Sequence, residues 1–419
     1  MEKAKRILTE IARIILGLTF MFSGFVKSVD PYGTAYKVVD YLAAFHLSFF
    51  SFLEMPISFF LCGFEMALGI VVLLGLFPKW SSKLMLLTMC FMTPLTLYLA
   101  IANPVSDCGC FGDAIVISNW ETFCKNIVLL ALAIWLAVNY QLMKPFFTSR
   151  MQKWALSFIV LFSVLFLLYN YIYDPLIDFR PYKIGANLPE QMTVDESKLP
   201  VMEHIFIYEK DSVQKEFTED NYPWQDSTWV FVDRITKIVK EGEYPKITDF
   251  VVDQLIIDDE TNEVIDQYDV VGEILEDESY TFLIIAPQLP KVEEKEKQKF
   301  TAIANYAEKN GYNVYLSTSS TNEDILKSIK DYPKNIRFGT TDEKVLKTII
   351  RSNPSLILIK NGDIIGKWSK MSIPDANELN KPIEKFISDN TASTSDGVKV
   401  LIIILLLLIP LGIIKIIVE

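Results

Sequence analysis

The sequence predicts a bundle of membrane-spanning α-helices joined to a soluble α/β domain with an additional β-rich segment. Three observations carry that expectation. The 419 residues are 51% hydrophobic yet bear a formal net charge of -12, a combination foreign to a single soluble domain. Six apolar runs come close to the ~20 residues that a bilayer crossing requires. Beyond residue 280 the pattern changes to alternating apolar strands and amphipathic helices, as in an open sheet flanked by helices.

The six runs are Ile7–Val26, Ile57–Phe77, Leu84–Ala102, Trp120–Val138, Trp154–Tyr173 and Val398–Val418. The first carries Glu10 and Arg13 and lacks a small-residue cleavage site, so it reads as a retained helix, not a signal peptide. Pro94 and Pro410 interrupt two runs, which membrane helices tolerate as kinks. Positive charge marks the cytoplasmic ends. Lys3, Lys5, Arg6 and Arg13 open the first run, Lys79 and Lys83 follow the second, and Lys144, Arg150 and Lys153 follow the fourth; Lys27 and Lys37 run against the trend. The expectation is a bacterial inner-membrane protein with both termini cytoplasmic and residues 174–397 extracytoplasmic. The acidic charge and the lack of a basic stripe exclude nucleic acid as a partner.

Within the first external segment, Leu42–Leu53 is apolar but too short to span, and reads as an interfacial helix. His46 within it is either a proton carrier or an interfacial residue. Five segments follow along the chain: 1–145 as a four-helix membrane domain, 146–180 as a fifth span and connector, 181–279 as a β-rich stretch, 280–389 as the α/β domain, and 390–419 as a linker and final span. In the α/β part, strands are expected at Tyr280–Ala286 and Asn313–Ser317, and helices at Val292–Asn310, Asn322–Tyr332, Glu343–Arg351 and Asn377–Ser388. Ser355–Lys360 and Ile364–Trp368 flank the Asn361-Gly362 turn of a hairpin.

The chemistry concentrates in Cys108-Gly109-Cys110-Phe111-Gly112, a short loop between two apolar runs. A disulfide between residues two apart needs a bent backbone, which Gly109 permits, and so small a ring would be strained and oxidising. Cys124 opens the fourth span near the positive end of its dipole, beside Lys125, where a thiolate is favoured. It is a candidate resolving thiol. The competing readings are a static disulfide, a metal site (weak with two soft ligands and no histidine nearby), and plain buried cysteines, as for Cys62 and Cys90. Glu65 lies well inside an apolar run, where a carboxylate marks either function or a buried ion pair. Lys27 and Lys125 are its candidate partners. The functional alternative is proton handling beside a bound quinone, with Glu65, Lys125 and Asn126 as its binding residues.

Two resemblances extend this reading. Asn353-Pro354-Ser355-Leu356-Ile357-Leu358-Ile359, followed by Asn361-Gly362, resembles the proline, strand and hairpin of thioredoxin-like (TlpA-like) domains, which implies a cis Pro354. Where that family carries Cys-x-x-Cys, this chain has Ala286-Pro287-Gln288-Leu289-Pro290-Lys291-Val292, and no cysteine follows Cys124. The resemblance therefore implies a binding module without thiol chemistry. The first four spans resemble the DoxX and MauE group, through Arg13, Leu16-Gly17-Leu18, Phe20, Ser23-Gly24, Lys27, Asp30-Pro31, Thr34, Lys37, Glu65, Gly69, Gly75 and the Asp107–Gly112 loop. That resemblance implies a redox theme and no particular reaction.

The expected function is an accessory in extracytoplasmic thiol–disulfide metabolism. Cys108 and Cys110 exchange with a redox or client protein, the soluble domain holds that partner, and membrane lipid surrounds the bundle. A non-catalytic membrane scaffold with structural cysteines is the rival of another class. A quinol-linked respiratory subunit is the third, and it calls for a lipophilic pocket near Glu65.

Overall fold

The computed structural model describes residues 2–417 except 106, 212, 220, 241, 259–260, 262 and 392–394. The linker expected from residue 390 and the end of the last run at Val418 thus fall partly outside the described residues.

The N-terminal region is helical: α1 (Glu2–Val29), α2 (Pro31–Ala44), α3 (Glu54–Leu73), α4 (Pro78–Ala102), α5 (Asn119–Val138) and α6 (Ser149–Ile172). Five of these, with the C-terminal helix Asp396–Ile417, are long and apolar enough to cross a membrane. The chain is a membrane protein. Glycine sets the closest helix crossing. A Cβ on Gly24 would lie 2.1 Å from the Met66 nitrogen, and one on Gly69 would lie 2.1 Å from the Met21 nitrogen. No side chain fits between α1 and α3 at these points, so the two backbones touch. The interfacial stretch 42–53 is not one helix. His46 adopts φ 58, which stops α2, and a 3-10 turn over Ser48–Leu53 leads into α3 with Phe49 and Phe52 exposed.

The soluble region begins with α7 (Leu188–Met192). The strands β1 (Val201–Lys210), β2 (Val213–Thr218) and β3 (Val230–Lys240) form an antiparallel sheet in the order β2-β1-β3. There follow β4 (Asp253–Ile257), β5 (Val264–Asp269), α8 (Val271–Glu276), β6 (Thr281–Ile285), α9 (Glu294–Asn310), β7 (Asn313–Thr318), α10 (Asn322–Ser328), β8 (Arg337–Thr340), α11 (Glu343–Ile349), β9 (Ser355–Lys360), β10 (Asp363–Ser369), α12 (Ile383–Asn390) and α13 (Asp396–Ile417). The second sheet has seven strands in the order β10-β9-β6-β7-β8-β4-β5. Strands β6, β7 and β8 are parallel, and β9 and β10 close one edge as an antiparallel hairpin. This C-terminal domain has the thioredoxin-like arrangement that the sequence suggested.

Strand β6 is buried throughout and alternates between two cores. Phe282 and Ile284 meet Phe300, Ile303 and Phe386, while Leu283 and Ile285 meet Val345, Leu346 and Ile349 on the other face. Asn361 and Gly362 both take positive φ, as the two-residue hairpin turn demands. The Asn353-Pro354 bond is cis.

Three expectations for the region beyond the bundle also need correction. The stretch 181–279 is not one β-rich unit, because β4 pairs with β8 and carries β5 onto the large sheet, leaving β1–β3 as a sheet of their own. The last soluble helix begins at Ile383 rather than Asn377, since Pro382 occupies its N-cap. The helix expected to Tyr332 ends at Ser328 and tightens into a 3-10 turn.

Candidate functional site at the cysteine loop

The loop between α4 and α5 is fixed at its base. Asn103 ends α4 in a left-handed conformation, and the Asn119 side chain donates to both Asn103 Oδ1 and the Val105 carbonyl at 2.9 Å. At its tip, Asp107 accepts from the Gly109 amide at 2.8 Å and from Lys37 Nζ at 2.7 Å. Gly109 has φ +61, and a Cβ there would approach Lys37 Cγ to 3.1 Å. The positive φ favours glycine, and a Cβ would in addition displace the Lys37 side chain by a few tenths of an ångström. The resulting bend turns the Cys110 amide onto Cys108 Sγ at 3.2 Å. Thr122 Oγ1 lies 3.4 Å from the same sulfur.

The two thiols are free and unlike. A hydrogen bond from the Cys110 thiol pulls the Cys108 thiol down to about 6 against the cost of burial, helped by Thr122, the Cys110 amide and the Lys125 charge. The same bond, together with burial, pushes Cys110 well above its ordinary value. Cys108 is the group poised as thiolate, and Cys110 is the group that keeps its proton. Over the whole residue Cys110 is the less buried of the two, although its sulfur is the more enclosed.

Beneath the loop lies a polar floor. The Tyr41 hydroxyl donates to the Cys108 carbonyl at 2.6 Å. The Ser23 hydroxyl stands 2.7 Å from both the Cys110 carbonyl and Glu65 Oε2, and can donate to only one at a time. Lys27 Nζ lies 2.8 Å from each oxygen of Glu65. Of the two candidate partners for Glu65, the structure selects Lys27, because the glycine contacts of α1 and α3 bring these residues together. Lys125 instead sits 4.1 Å above the Phe111 ring. A cavity of about 310 Å³ abuts this floor, lined by Cys108, Cys110, Lys27 and Glu65 on one side and by Phe91 and Leu95 of α4 on the other.

Cys124 does not join the pair. It is exposed, while Thr122, two residues earlier, faces Cys108. Two residues turn a helix by about 200°, so the resolving-thiol expectation fails on geometry. Asn126 is buried and donates to Thr96 Oγ1 at 3.2 Å rather than to Glu65. Sequence reasoning gave no role to Ser23, Tyr41 and Thr122. Thr122 could have been found, since it shares with Asn126, Leu129, Ala133 and Leu136 the one buried face of α5.

The soluble domain is seated on the same end of the bundle as the cysteine loop. Arg351, three residues before Pro354, places Nη2 2.6 Å from Asp30 Oδ2 and Nε 3.1 Å from each Asp30 oxygen. It also lies 3.8 Å from Asp113 in the cysteine loop and against the Tyr36 ring. Asp30 caps α2 through the Gly33 amide at 3.0 Å. Burial raises its carboxyl, but the Arg351 charge outweighs this and holds it below the usual range. A second clamp is buried behind it. Lys367 Nζ donates at 2.8 Å to Asp178, to the Tyr182 carbonyl and to the Ile349 carbonyl, and Arg180 grips the same Asp178. Where thioredoxin-like enzymes carry their cysteines, the Gln288 backbone is paired with the Asn353 side-chain amide, at 3.3 Å and 3.1 Å.

Residues 5–139 match the family described as Methylamine utilisation protein MauE, and residues 202–241 match a domain of unknown function, DUF8463. No curated protein matches this chain. Among solved structures, one described as Arabidopsis thaliana ScoI with copper bound is similar over 34% of this chain and 97% of its own, at 10% identity and a TM-score of 0.25. That likeness assigns neither copper nor an activity to this chain.

Proposed function

We propose that this protein carries out thiol–disulfide exchange at the extracytoplasmic face of a bacterial inner membrane, with Cys108 and Cys110 as the reacting pair. The observation that carries this reading is the asymmetry around Cys108 Sγ. One sulfur collects the Cys110 amide, the Cys110 thiol and the Thr122 hydroxyl, with Lys125 nearby. Such an array stabilises a thiolate, and a stabilised thiolate is a good leaving group in exchange.

With the pair oxidised, a client thiolate attacks the Cys110 sulfur, because that direction expels Cys108, the better-stabilised thiolate, as the leaving group. A second client thiolate then attacks the client sulfur of that mixed disulfide and releases Cys110. The client becomes a disulfide and the pair a dithiol, so two electrons move from client to pair. The soluble domain frames the loop and does no thiol chemistry, having no cysteine. Its Arg351 clamp fixes the side from which a client approaches.

Exchange with a small disulfide, followed by stopped-flow absorbance on the reduced full-length chain, tests the reading. Cys108→Ser is expected to lower the rate at least ~100-fold, and Cys124→Ser to leave it unchanged. Equal rates for wild type and Cys108→Ser would reduce the loop cysteines to structural residues and favour a scaffold.

A further inference from the structure

The cavity under the cysteine loop has a composition unlike a packing defect. Its walls are Leu42 and Phe45 of the α2 end, Leu61 of α3, and Phe91 and Leu95 of α4. Phe45 and Phe91 are exposed on the side that membrane lipid would cover, so the cavity opens laterally. Its polar groups belong to the loop and floor. Chief among them are the two thiols, the Tyr41 hydroxyl, and Lys27 held on Glu65, with Thr34, Lys37 and Thr96 also in the lining. Lys27 spends two of its three donors on Glu65, which leaves one for an incoming oxygen.

Size sets a further limit. An apolar cavity of ~150 Å³ accepts benzene. At about 310 Å³, this one takes a substituted six-membered ring, with room for a chain to leave between α2 and α4. A ligand here must be lipophilic, flat, and able to use a hydrogen-bond donor at one edge. It also touches a reactive thiol pair. A hydrocarbon, even a flat one, has no acceptor for that donor.

We infer that the cavity binds a membrane quinone, which takes the electrons of the Cys108–Cys110 dithiol. This rests on the exchange reading above and names its electron acceptor. The step balances. The two thiols lose two electrons and two protons as the sulfur–sulfur bond closes, and the quinone gains both to become a quinol. Cys108 as thiolate supplies the first sulfur, Cys110 supplies the second sulfur and one proton, and the proton that Cys108 has already released to water returns from water to the second oxygen; Lys27 faces the oxygen on which negative charge develops. Glu65 is a positioning residue for Lys27.

The test uses the full-length chain in lipid nanodiscs and a fully substituted benzoquinone with a decyl tail, which has no ring hydrogen for a thiol to displace. Binding is measured by titration in the Cys108→Ser/Cys110→Ser background, where no electrons move. Saturable binding is expected, weakened tenfold or more by Leu95→Trp and by Leu42→Trp, which fill the cavity from two different helices. In chains that keep both cysteines, the same two substitutions should slow quinol formation tenfold or more. The reduced wild type should form one quinol for each pair of thiols lost to mass tagging. Absent binding, binding indifferent to both tryptophans, or equal competition by decylbenzene would overturn the quinone site while leaving exchange standing. Failure of exchange in the wild type would instead remove the reading on which it rests.

Discussion

Two places in this chain could have held a redox pair, and they differ in every respect that matters. At the β6–α9 junction of the soluble domain, the thioredoxin-like fold is present, with the cis Asn353-Pro354 bond in position, yet Gln288 and Asn353 close the site by amide hydrogen bonds. At the cysteine loop, no such fold exists, yet a bent glycine, a threonine from α5 and a lysine assemble an asymmetric thiol pair. Fold and chemistry have parted company. What the fold still contributes is position, because Arg351 of the cis-proline loop grips Asp30 and reaches Asp113 beside the cysteines.

The comparison breaks most sharply at the buried floor. Lys27→Met leaves Glu65 charged and unpaired inside the bundle, a loss of about 3–5 kcal/mol by general experience with broken buried pairs. Thermal unfolding in lipid should show it. The double variant Lys27→Met/Glu65→Leu should recover much of that loss but not quinone reduction, which separates stability from chemistry. Full stability loss in the double variant would mean that the pair is not the unit described.

A smaller effect sharpens the thiol side. Cys108 alkylation by iodoacetamide should rise with pH through a midpoint near 6, and Thr122→Val should move that midpoint upward. The sign for stability follows from a folded value of about 6 beneath an ordinary value of 9.0. The contribution is complete above the unfolded value, declines as pH falls between the two, and is gone below the folded one. An unchanged midpoint in Thr122→Val would deny the hydroxyl its role.

The smallest effect belongs to the clamp. Arg351→Met removes charged hydrogen bonds worth about 2 kcal/mol in a partly buried setting, and should raise amide exchange across residues 29–34 and 107–114 without altering the core of β6. Unchanged exchange there would show that the domain is held by the Asp178–Arg180–Lys367 cluster alone.

Much of this was legible in the sequence, for identifiable reasons. The spans declare themselves by hydropathy, the hairpin by Asn361-Gly362, and the cis proline by the residues around Pro354. The cysteine loop stood out because it is polar between apolar runs. Non-local pairing was not legible. Strand β8 is four residues containing an arginine and a glycine, and the attachment of β4 to it spans more than eighty residues of chain. Nor was the Glu65 partner, since Lys27 and Lys125 both lay at plausible depth until the contacts at Gly24 and Gly69 decided between them. The misplacement of Cys124 was avoidable, because helical spacing alone puts it off the face shared by Thr122 and Asn126.

The central claim is that Cys108 and Cys110 cycle between dithiol and disulfide. Acid trapping of cells followed by mass-tag alkylation measures this directly, in wild type and in the Cys108→Ser and Cys110→Ser chains. The expected result is a mixture of both redox forms in wild type and, in Cys108→Ser, a mixed disulfide between Cys110 and another protein. A pair found wholly in one form, with no mixed disulfide in either variant, would contradict the claim.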